Sequence, residues 1–193
     1  MVLFPEAPFT AGTSAAAVYI ARTDFLSGAD AYNAALLAVS DDRRLRAQRF
    51  HSRARAAQSL AAELLLRLAL SELGCAEEPE FAVSESGKPY LANIPVRFSL
   101  SHTTGLAVCA VSETREVGAD AERVRPANLK TAARVFSPAE YAAIASASGE
   151  RRDVLFTAAW TRYEAAFKCG AEKYRFTEIA YSPGYSVTLC ESV

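Results

Sequence analysis

Two carboxylates stand at alternate positions, Asp120 and Glu122, in the segment VGADAERVRP. Side chains alternate between faces along an extended strand, so both acids are expected on one face and Ala119 and Ala121 on the other. Two like charges this close raise each other's pKa, which predicts a positive partner, either a basic side chain or a divalent metal ion. Gly118 lies on the acidic face and is expected to leave that face open.

A second cluster occurs in FTAAWTRYEAAFKCG, where Glu164 and Lys168 are four residues apart. On a helix this spacing makes the two side chains neighbours on one face. The same spacing also suits a plain surface ion pair, so a structural role is an open alternative. Trp160 shares the spacing, and a wholly solvated helix face rarely needs a tryptophan.

Two shorter segments, FSLSHTTG and SGKPYL, carry further candidates. His102 follows a strand-like run at a predicted turn, a place where functional side chains often lie. A structural histidine is the alternative, and Ser101 could serve turn chemistry alone. Lys88 lies beside a proline in a predicted loop, where it could equally be a solvated lysine.

The segment DDRRLRAQRFHSRAR concentrates arginines, most of which are expected to be solvated or paired with acids. A few that lie together could bind a phosphate, which suits the forked guanidinium group. Three carboxylates, a lysine, a histidine and clustered arginines together match the needs of a magnesium-dependent phosphoryl-type transfer. The arginines of this segment are Arg43, Arg44, Arg46, Arg49, Arg53 and Arg55.

The elements that must position these residues are predicted from periodicity and capping signals. Ser40 followed by two aspartates predicts the start of a helix over residues 40–73, which Gly74 ends. Ser137 and Glu140 match a capping box with proline at the first helical position, and an apolar stripe further along predicts a second helix. That stripe comprises Phe156, Trp160, Tyr163 and Phe167. Strands are predicted at residues 18–21, 98–100, 106–111 and 184–193, and in the acidic segment.

The order of these elements predicts an α+β fold. The two halves of the chain repeat a similar succession of strand, arginine-rich run, long alanine-rich helix and closing strand. We therefore expect two pseudo-symmetric α+β lobes, residues 1–116 and 117–193, with a binding cleft between them.

Composition limits the class of protein. The chain has 193 residues, 51% of them hydrophobic, and a net charge of −1, so no overall field attracts nucleic acid or anionic lipid. Its four cysteines lack zinc-site spacing and are expected to be buried or free thiols in a reducing cytosol. The opening residues lack a signal-peptide pattern and no apolar run approaches membrane-spanning length, so we expect neither secretion nor membrane insertion.

The segments GKPYL, FSLSHT, GADAE and WTRYEAAFK resemble the signature blocks of the Sfp-type 4'-phosphopantetheinyl transferases in order and spacing. The resemblance runs from about Ser40 to the final strand. It implies a monomeric cytoplasmic enzyme of secondary metabolism that binds coenzyme A and Mg²⁺ in the cleft between two lobes. Such an enzyme moves the phosphopantetheine arm onto a serine of an apo acyl or peptidyl carrier protein and releases adenosine 3',5'-bisphosphate.

The resemblance also implies a role for each matching residue. Asp120, Glu122 and Glu164 would be the metal ligands, and Glu164 would also act as the base toward the carrier serine. Lys168 would stabilise or protonate the leaving phosphate, and His102 would bind the pyrophosphate of coenzyme A. The remaining positions that match coenzyme-contacting residues of the family are Arg43, Arg46, Ser59, Lys88, Pro89 and Ser101.

The chain departs from the family pattern at several positions. Tyr163 replaces the lysine that normally precedes the glutamate, so one positive charge near the predicted metal site is absent. Ser99 stands where asparagine is common and Gln58 where a basic residue is common. Two alternatives therefore stay open: a family member that binds coenzyme A or a carrier domain without transfer, and a magnesium-dependent phosphohydrolase built on the same acids.

Overall fold

The computed structural model of the chain describes residue 4 and residues 6–193. Residues 1–3 and 5 lie outside the described residues; they belong to the predicted first lobe and to the opening segment used for the secretion expectation. Across the described part, six α-helices and nine β-strands form a mixed fold, which confirms the predicted α+β class. The division into two lobes at residue 116 stays a prediction.

All of the strand pairing is antiparallel and falls into three sheets. The strands are β1 (Phe9–Gly12), β2 (Ala17–Arg22), β3 (Phe81–Val83), β4 (Pro89–Leu91), β5 (Arg97–Thr103), β6 (Leu106–Ser112), β7 (Val117–Arg123), β8 (Tyr174–Glu178) and β9 (Tyr185–Ser192). A four-stranded sheet has the order β1-β2-β6-β5, a two-stranded sheet pairs β3 with β4, and a three-stranded sheet has the order β7-β9-β8. All of the predicted strands are confirmed, whereas β1, β3, β4 and β8 were not predicted.

The helices carry clear end signals. They are α1 (Ala29–Ala38), α2 (Asp41–Gln48), α3 (Arg53–Glu72), α4 (Leu129–Val135), α5 (Pro138–Ser146) and α6 (Gly149–Cys169), with a 3₁₀ turn at Asp24–Leu26. The predicted capping box forms at the start of α5, where Ser137 and Glu140 satisfy each other's backbone N–H groups.

The prediction of one helix over residues 40–73 is wrong. Ser40 does cap a helix, because its hydroxyl accepts the backbone N–H of Arg43, but that helix ends after eight residues. Ser52 then caps α3 by accepting the backbone N–H of Arg55. A second capping serine therefore breaks the helical run, and the prediction overlooked it.

The core has four layers, helix on sheet on sheet on helix. Alternate residues of β2 show this, because Tyr19 and Ala21 pack in the cluster around α3. Val18 and Ile20 instead pack between the two larger sheets, with Ala119 and Leu189 of the three-stranded sheet. Helix α6 then covers the outer face of β7 and β9. Strands β2 and β6, at the centre, are buried on both faces, which explains their nearly continuous apolar sequences.

The edge of β7 that does not pair with β9 is held by side-chain hydroxyl groups of β5, and not by backbone hydrogen bonds to a neighbouring strand. Three alternate residues of β5 accept backbone N–H bonds from three alternate residues of β7. The pairs are Ser99 with Ala119 (2.9 Å), Ser101 with Ala121 (3.2 Å) and Thr103 with Arg123 (3.3 Å). The alternating hydroxyls of FSLSHT thus fix the acidic strand against the four-stranded sheet, since buried N–H groups require partners.

Gly118 does not leave the acidic face open, contrary to prediction. A Cβ atom at this residue would lie 2.0 Å from the carbonyl oxygen of Ala165 and 2.4 Å from the backbone nitrogen of Cys169. Both atoms belong to α6, so the missing side chain lets the helix backbone approach the strand directly. The glycine therefore sets the distance between the strand and the helix that carry the candidate acids and lysine.

Replacing Gly118 by alanine is expected to lower the free energy of unfolding by about 2–3 kcal/mol, because α6 must move to admit the methyl group. Chemical denaturation of the two proteins measures this difference. Gly28→Ala is the matched control, since a Cβ there meets nothing within 4 Å. Equal stability of Gly118→Ala and the parent protein would contradict the close packing.

Two further expectations meet the structure differently. The four cysteines are free, and three of them, Cys109, Cys169 and Cys190, are buried, as predicted. The predicted apolar stripe, which lies on α6, is only partly buried, because Tyr163 is 47% exposed and Phe167 is 76% exposed.

None of the helices in the described part of the chain is both long and apolar enough to cross a membrane.

Candidate active site

The two acids of β7 lie on the face opposite Ala119 and Ala121, as the alternation of the strand predicted, and this face turns toward α6. Asp120 is 5% exposed, whereas Ala119 and Ala121 lie in the core between the sheets. Oδ1 of Asp120 accepts hydrogen bonds from Nζ of Lys168 at 2.7 Å and from Oγ of Ser101 at 2.8 Å. Its Oδ2 is buried and has no hydrogen-bond partner among the described residues. A buried, unpartnered carboxylate oxygen is costly unless a ligand satisfies it.

Lys168 is the positive partner that the paired acids require. Besides Asp120, its Nζ contacts the carbonyl oxygen of Ala119 at 3.2 Å and Oγ of Ser101 at 3.3 Å. The alternative of a surface pair between Glu164 and Lys168 is therefore not what the structure shows. The lysine reaches across from α6 to the buried acid of β7, and this ties the helix to the strand.

Glu122 is the second acid of the strand and is partly exposed. Its Oε2 accepts a hydrogen bond from Oγ1 of Thr103 at 3.3 Å. Burial and the nearby charge of Asp120 raise the pKa of Glu122, against the opposing effect of Arg125. The mutual repulsion expected from the sequence is thus present, and a bound cation would relieve it.

Glu164 is not gathered with the other two acids into a metal-binding group. It lies one turn before Lys168 on α6 and is partly exposed. No cluster of three His, Cys, Asp or Glu side chains suited to a metal ion occurs among residue 4 and residues 6–193. The structure therefore brings Asp120, Glu122 and Lys168 together, while the third predicted ligand stays a prediction.

A cavity of about 700 Å³ opens beside this group. Its lining combines positive side chains from α2 and α6 with β5 and the loop before β4. The predicted residues that line it are Arg43, Arg46, Lys88, Pro89, His102 and Lys168. A cavity of this size fits a nucleotide-sized ligand, and its charge favours an anionic one.

Two of the predicted coenzyme contacts, Ser59 and Ser101, do not line this cavity. Ser59 is 1% exposed and accepts a hydrogen bond from Nη1 of Arg43 at 3.0 Å. Ser101 is 6% exposed and donates to Asp120. Both serines lie behind the charged residues that they contact, so they position those residues instead of lining the cavity.

Lys88 is neither a solvated lysine nor a free cation. Its Nζ donates to Oε2 of Glu116 at 2.9 Å and to the carbonyl oxygens of Val117 and Cys169, each at 3.1 Å. An ammonium group has three N–H donors, and these contacts use all of them. The lysine therefore joins the loop before β4 to the start of β7 and the end of α6 along the wall of the cavity.

His102 lies exposed at the cavity, among the cations that line it. Desolvation and the charges of Arg43, Lys168 and Arg46 lower the pKa of His102 to about 4. The imidazole ring is therefore neutral at pH 7 in the protein without ligand. An anion bound among these cations would offset their charge and favour the protonated ring.

We expect the pKa of His102 to rise from about 4 when inorganic pyrophosphate binds in the cavity. The sign follows because desolvation is the largest cause of the lowered pKa but the charges of Arg43, Lys168 and Arg46 add to it, and the anion offsets this second contribution. NMR titration of the histidine ring signals with and without pyrophosphate measures the shift, and a His102→Asn variant assigns the signal. A pKa that stays unchanged at saturating pyrophosphate would contradict anion binding here.

Three residues near the site were missed from the sequence. Glu63 and Thr103 hold Arg43 and Glu122 respectively. The guanidinium carbon of Arg125 lies 5.8 Å from the ring centre of Trp160, whose ring also lies 5.8 Å from that of Tyr163. Arg125 thus places a positive charge against the aromatic cluster of Phe156 and Trp160, to which Tyr163 also belongs, and only tertiary packing reveals this contact.

Comparison with known proteins identifies the family to which this arrangement of acids, lysine and cation-lined cavity belongs. Residues 116–181, which contain Asp120, Glu122, Glu164 and Lys168, match the family model of the 4'-phosphopantetheinyl transferase superfamily. The 4'-phosphopantetheinyl transferase AcpT of Escherichia coli (strain K12) is 34% identical over 138 residues, 68% of either chain. The chain belongs to this superfamily, which confirms the resemblance found in the sequence.

Two other relatives show how much of such proteins the chain covers. The 4'-phosphopantetheinyl transferase HetI of Nostoc sp. is 35% identical over 156 residues, 75% of this chain and 66% of its own. A 4'-phosphopantetheinyl transferase of Bacillus subtilis is 30% identical over 136 residues, 69% of this chain and 60% of its own. The chain therefore covers less than two thirds of the length of either relative.

Proposed function

We propose that the protein is a 4'-phosphopantetheinyl transferase that moves the phosphopantetheine arm of coenzyme A onto a serine of an apo carrier protein. The observation that carries the proposal is the buried Asp120, whose Oδ2 has no partner in the described residues and whose Oδ1 binds Lys168. Lys168 also lines the cation-rich cavity, so the buried acid lies next to the cavity that is suited to an anion. That combination suits a transfer in which a negatively charged pyrophosphate is cleaved.

Coenzyme A carries a pyrophosphate and a ribose 3'-phosphate, and the cavity offers positive groups for both. Lys168 contacts Asp120 and suits the pyrophosphate, which we also assign to His102, while Arg43 and Arg46 suit the 3'-phosphate. The exposed ring of Phe167 also lines the cavity and supplies apolar surface. The volume of about 700 Å³ supports a ligand of this size.

Asp120, Glu122 and Glu164 would hold a Mg²⁺ ion. The fit rests on the unpartnered Oδ2 of Asp120 and the raised pKa of Glu122, because a cation satisfies the first and relieves the repulsion behind the second. When bound, Mg²⁺ would supply charge neutralisation at the pyrophosphate. Binding would require Glu164 to turn toward the two strand acids.

The chain's own groups carry the remaining steps. Glu164 takes the proton of the carrier serine hydroxyl, whose oxygen attacks the phosphorus atom that bears the pantetheine arm. The bond from that phosphorus to the bridging oxygen breaks, and adenosine 3',5'-bisphosphate leaves. Lys168 stabilises the charge that builds up on the leaving oxygen and can protonate it.

The direct test incubates the protein with coenzyme A and a panel of apo carrier proteins from fatty acid, polyketide and peptide synthesis. We expect the mass of at least one carrier to increase by a phosphopantetheine group when Mg²⁺ is present, and not when a chelator removes the metal. Failure to modify any carrier with Mg²⁺ present would contradict the proposal. The same panel shows which pathway the protein serves, and we expect secondary metabolism. We also expect the protein to be cytoplasmic and monomeric.

One observation favours a second candidate, a member that binds coenzyme A without transferring its arm. Tyr163 is exposed and supplies no positive charge where the family pattern has lysine. Calorimetry with coenzyme A, run beside the carrier assay, distinguishes the two candidates. Tight binding without modification of any carrier supports the second.

A further inference from the structure

Arg43 reaches the cavity from α2 and is held from behind by two buried side chains. Its Nε donates to Oε2 of Glu63 at 3.2 Å, and its Nη1 donates to Oγ of Ser59 at 3.0 Å. Among the described residues, no hydrogen bond of its Nη2 is found. Two of the three guanidinium nitrogens are therefore anchored, and Nη2 keeps N–H donors for a ligand in the cavity that Arg43 lines.

Glu63 is an unusual residue for the middle of a long helix, because it is only 1% exposed. Its Oε1 accepts the backbone N–H of Ser40 at 2.6 Å and Nε of Arg67 at 3.2 Å. Its Oε2 accepts the hydroxyl of Ser40 at 2.9 Å besides Nε of Arg43. One buried carboxylate thus fixes the first turn of α2 and the arginine that this turn carries.

The positive charge at this end of the cavity depends on Arg46 as well as on Arg43. Glu63 is shared by Arg43 and Arg67, and Arg67 also pairs with Glu78 at 2.7 Å, so the two guanidinium groups face two carboxylates. The net positive charge beside Arg43 is that of Arg46, which lines the same cavity. Burial and the nearby Arg46 lower the pKa of Arg43, although a guanidinium group stays charged at neutral pH. The cavity end near α2 is therefore positive and preorganised.

We infer that Glu63, assisted by Ser59, is a positioning residue that orients Arg43 toward the phosphomonoester of the nucleotide cosubstrate. The inference rests on the proposed function for the identity of that cosubstrate. The reacting pyrophosphate must lie beside Lys168 and Asp120, so the phosphomonoester is the anionic group that remains for Arg43. Glu63 does not touch the ligand; it acts only through the arginine, whose fixed plane lowers the entropy lost on binding.

Calorimetry with two nucleotides tests this role without any transfer reaction. Adenosine 3',5'-bisphosphate carries the 3'-phosphomonoester, and adenosine 5'-monophosphate lacks it. We expect Glu63→Gln to weaken binding of the bisphosphate about 10-fold, because the amide cannot replace the charged hydrogen bond. The affinity for the monophosphate should change less than about 2-fold. Ser59→Ala should weaken the bisphosphate about 3-fold, with the same selectivity.

In the transfer reaction, Glu63→Gln should raise KM for coenzyme A with little change in kcat, because uniform binding is lost. KM for dephospho-coenzyme A should stay close to that of the parent protein. A general structural defect would raise both KM values and lower kcat together.

Glu191→Gln is the matched control for burial and charge. Glu191 is 0% exposed and pairs with Arg175 at 2.8 Å, and it does not line the cavity. This variant should lose stability comparable to Glu63→Gln and leave the preference for the bisphosphate unchanged. If Glu63→Gln does not fold, Ser59→Ala decides the question alone.

Two results would overturn the inference: equal losses for both nucleotides in the foldable variants, or no preference of the parent protein for the bisphosphate. The proposed function can fail separately. A parent protein that modifies no carrier but prefers the bisphosphate, with a preference that depends on Glu63, keeps the positioning role and refutes the transfer.

Discussion

Replacing Asp120 by asparagine is expected to lower kcat/KM for carrier modification at least about 1000-fold. The asparagine keeps the size of the side chain but removes the charge that pairs with Lys168 and the buried, unpartnered oxygen that we propose binds a cation. The pyrophosphate would then be bound beside an uncompensated lysine, without the group that positions a metal ion. The rate of carrier modification at saturating Mg²⁺ measures the effect.

Loss of folding must be separated from loss of chemistry in this variant. Thermal unfolding and binding of adenosine 3',5'-bisphosphate should remain close to those of the parent protein, because the bisphosphate is expected to bind mainly through Arg43. Glu191→Gln, a second buried acid in an ion pair, should keep most of the activity. An Asp120→Asn protein that modifies the carrier at the parent rate would refute the role of this carboxylate.

Lys168→Met is expected to lower kcat about 100-fold or more, with a smaller change in KM for coenzyme A. Methionine preserves the unbranched chain on α6 but removes the ammonium group that faces Asp120 and, in the proposed reaction, the leaving oxygen. The effect falls on kcat because charge builds up on that oxygen mainly in the transition state. Steady-state kinetics with a single carrier protein provides both constants.

Lys173→Met serves as the control for the lysine variant, since Lys173 is exposed and lies outside the lining of the cavity. It should behave like the parent protein in both constants. If Lys168→Met raised KM and left kcat unchanged, Lys168 would be a binding group only, and the role at the leaving oxygen would be wrong.

The strand that carries the acids could be predicted in detail because its signal is local. The alternation of Asp120 and Glu122 with small apolar residues determined which side chains share a face, and this required only the pleat of an extended chain. The same local reasoning found the caps at Ser40 and Ser137. The break between α2 and α3 was local too, since Ser52 is a recognisable capping residue that the apolar periodicity of the following helix obscured.

Contacts between distant segments could not be predicted in this way. Gly118 is small because α6 approaches β7, and no pattern within the strand indicates a helix backbone on that side. The partner of Lys168 is Asp120 of the strand and not Glu164 of its own helix, since the buried acid offers a stronger electrostatic partner than a partly exposed one. Both facts depend on tertiary packing.

The residues predicted to contact coenzyme A also divide into those that local sequence places correctly and those that depend on tertiary packing. Arg43, Arg46 and His102 line the cavity, in agreement with their positions in the family pattern, and this supports their proposed roles. Ser59 matches that pattern as well, yet it lies behind Arg43 and not in the cavity. A match to a family pattern gives the position of a residue along the chain. Whether that residue can contact a ligand depends on how deeply its side chain is buried, which the pattern does not give.

Binding of Mn²⁺, followed by electron paramagnetic resonance in the presence of coenzyme A, tests the central claim most directly. The claim is that the carboxylates of β7 hold a divalent cation beside the cation-lined cavity. We predict one Mn²⁺ site per chain in the parent protein, displaced by Mg²⁺, with affinity at least about 10-fold weaker in Asp120→Asn. Equal Mn²⁺ affinity in the two proteins would contradict the claim.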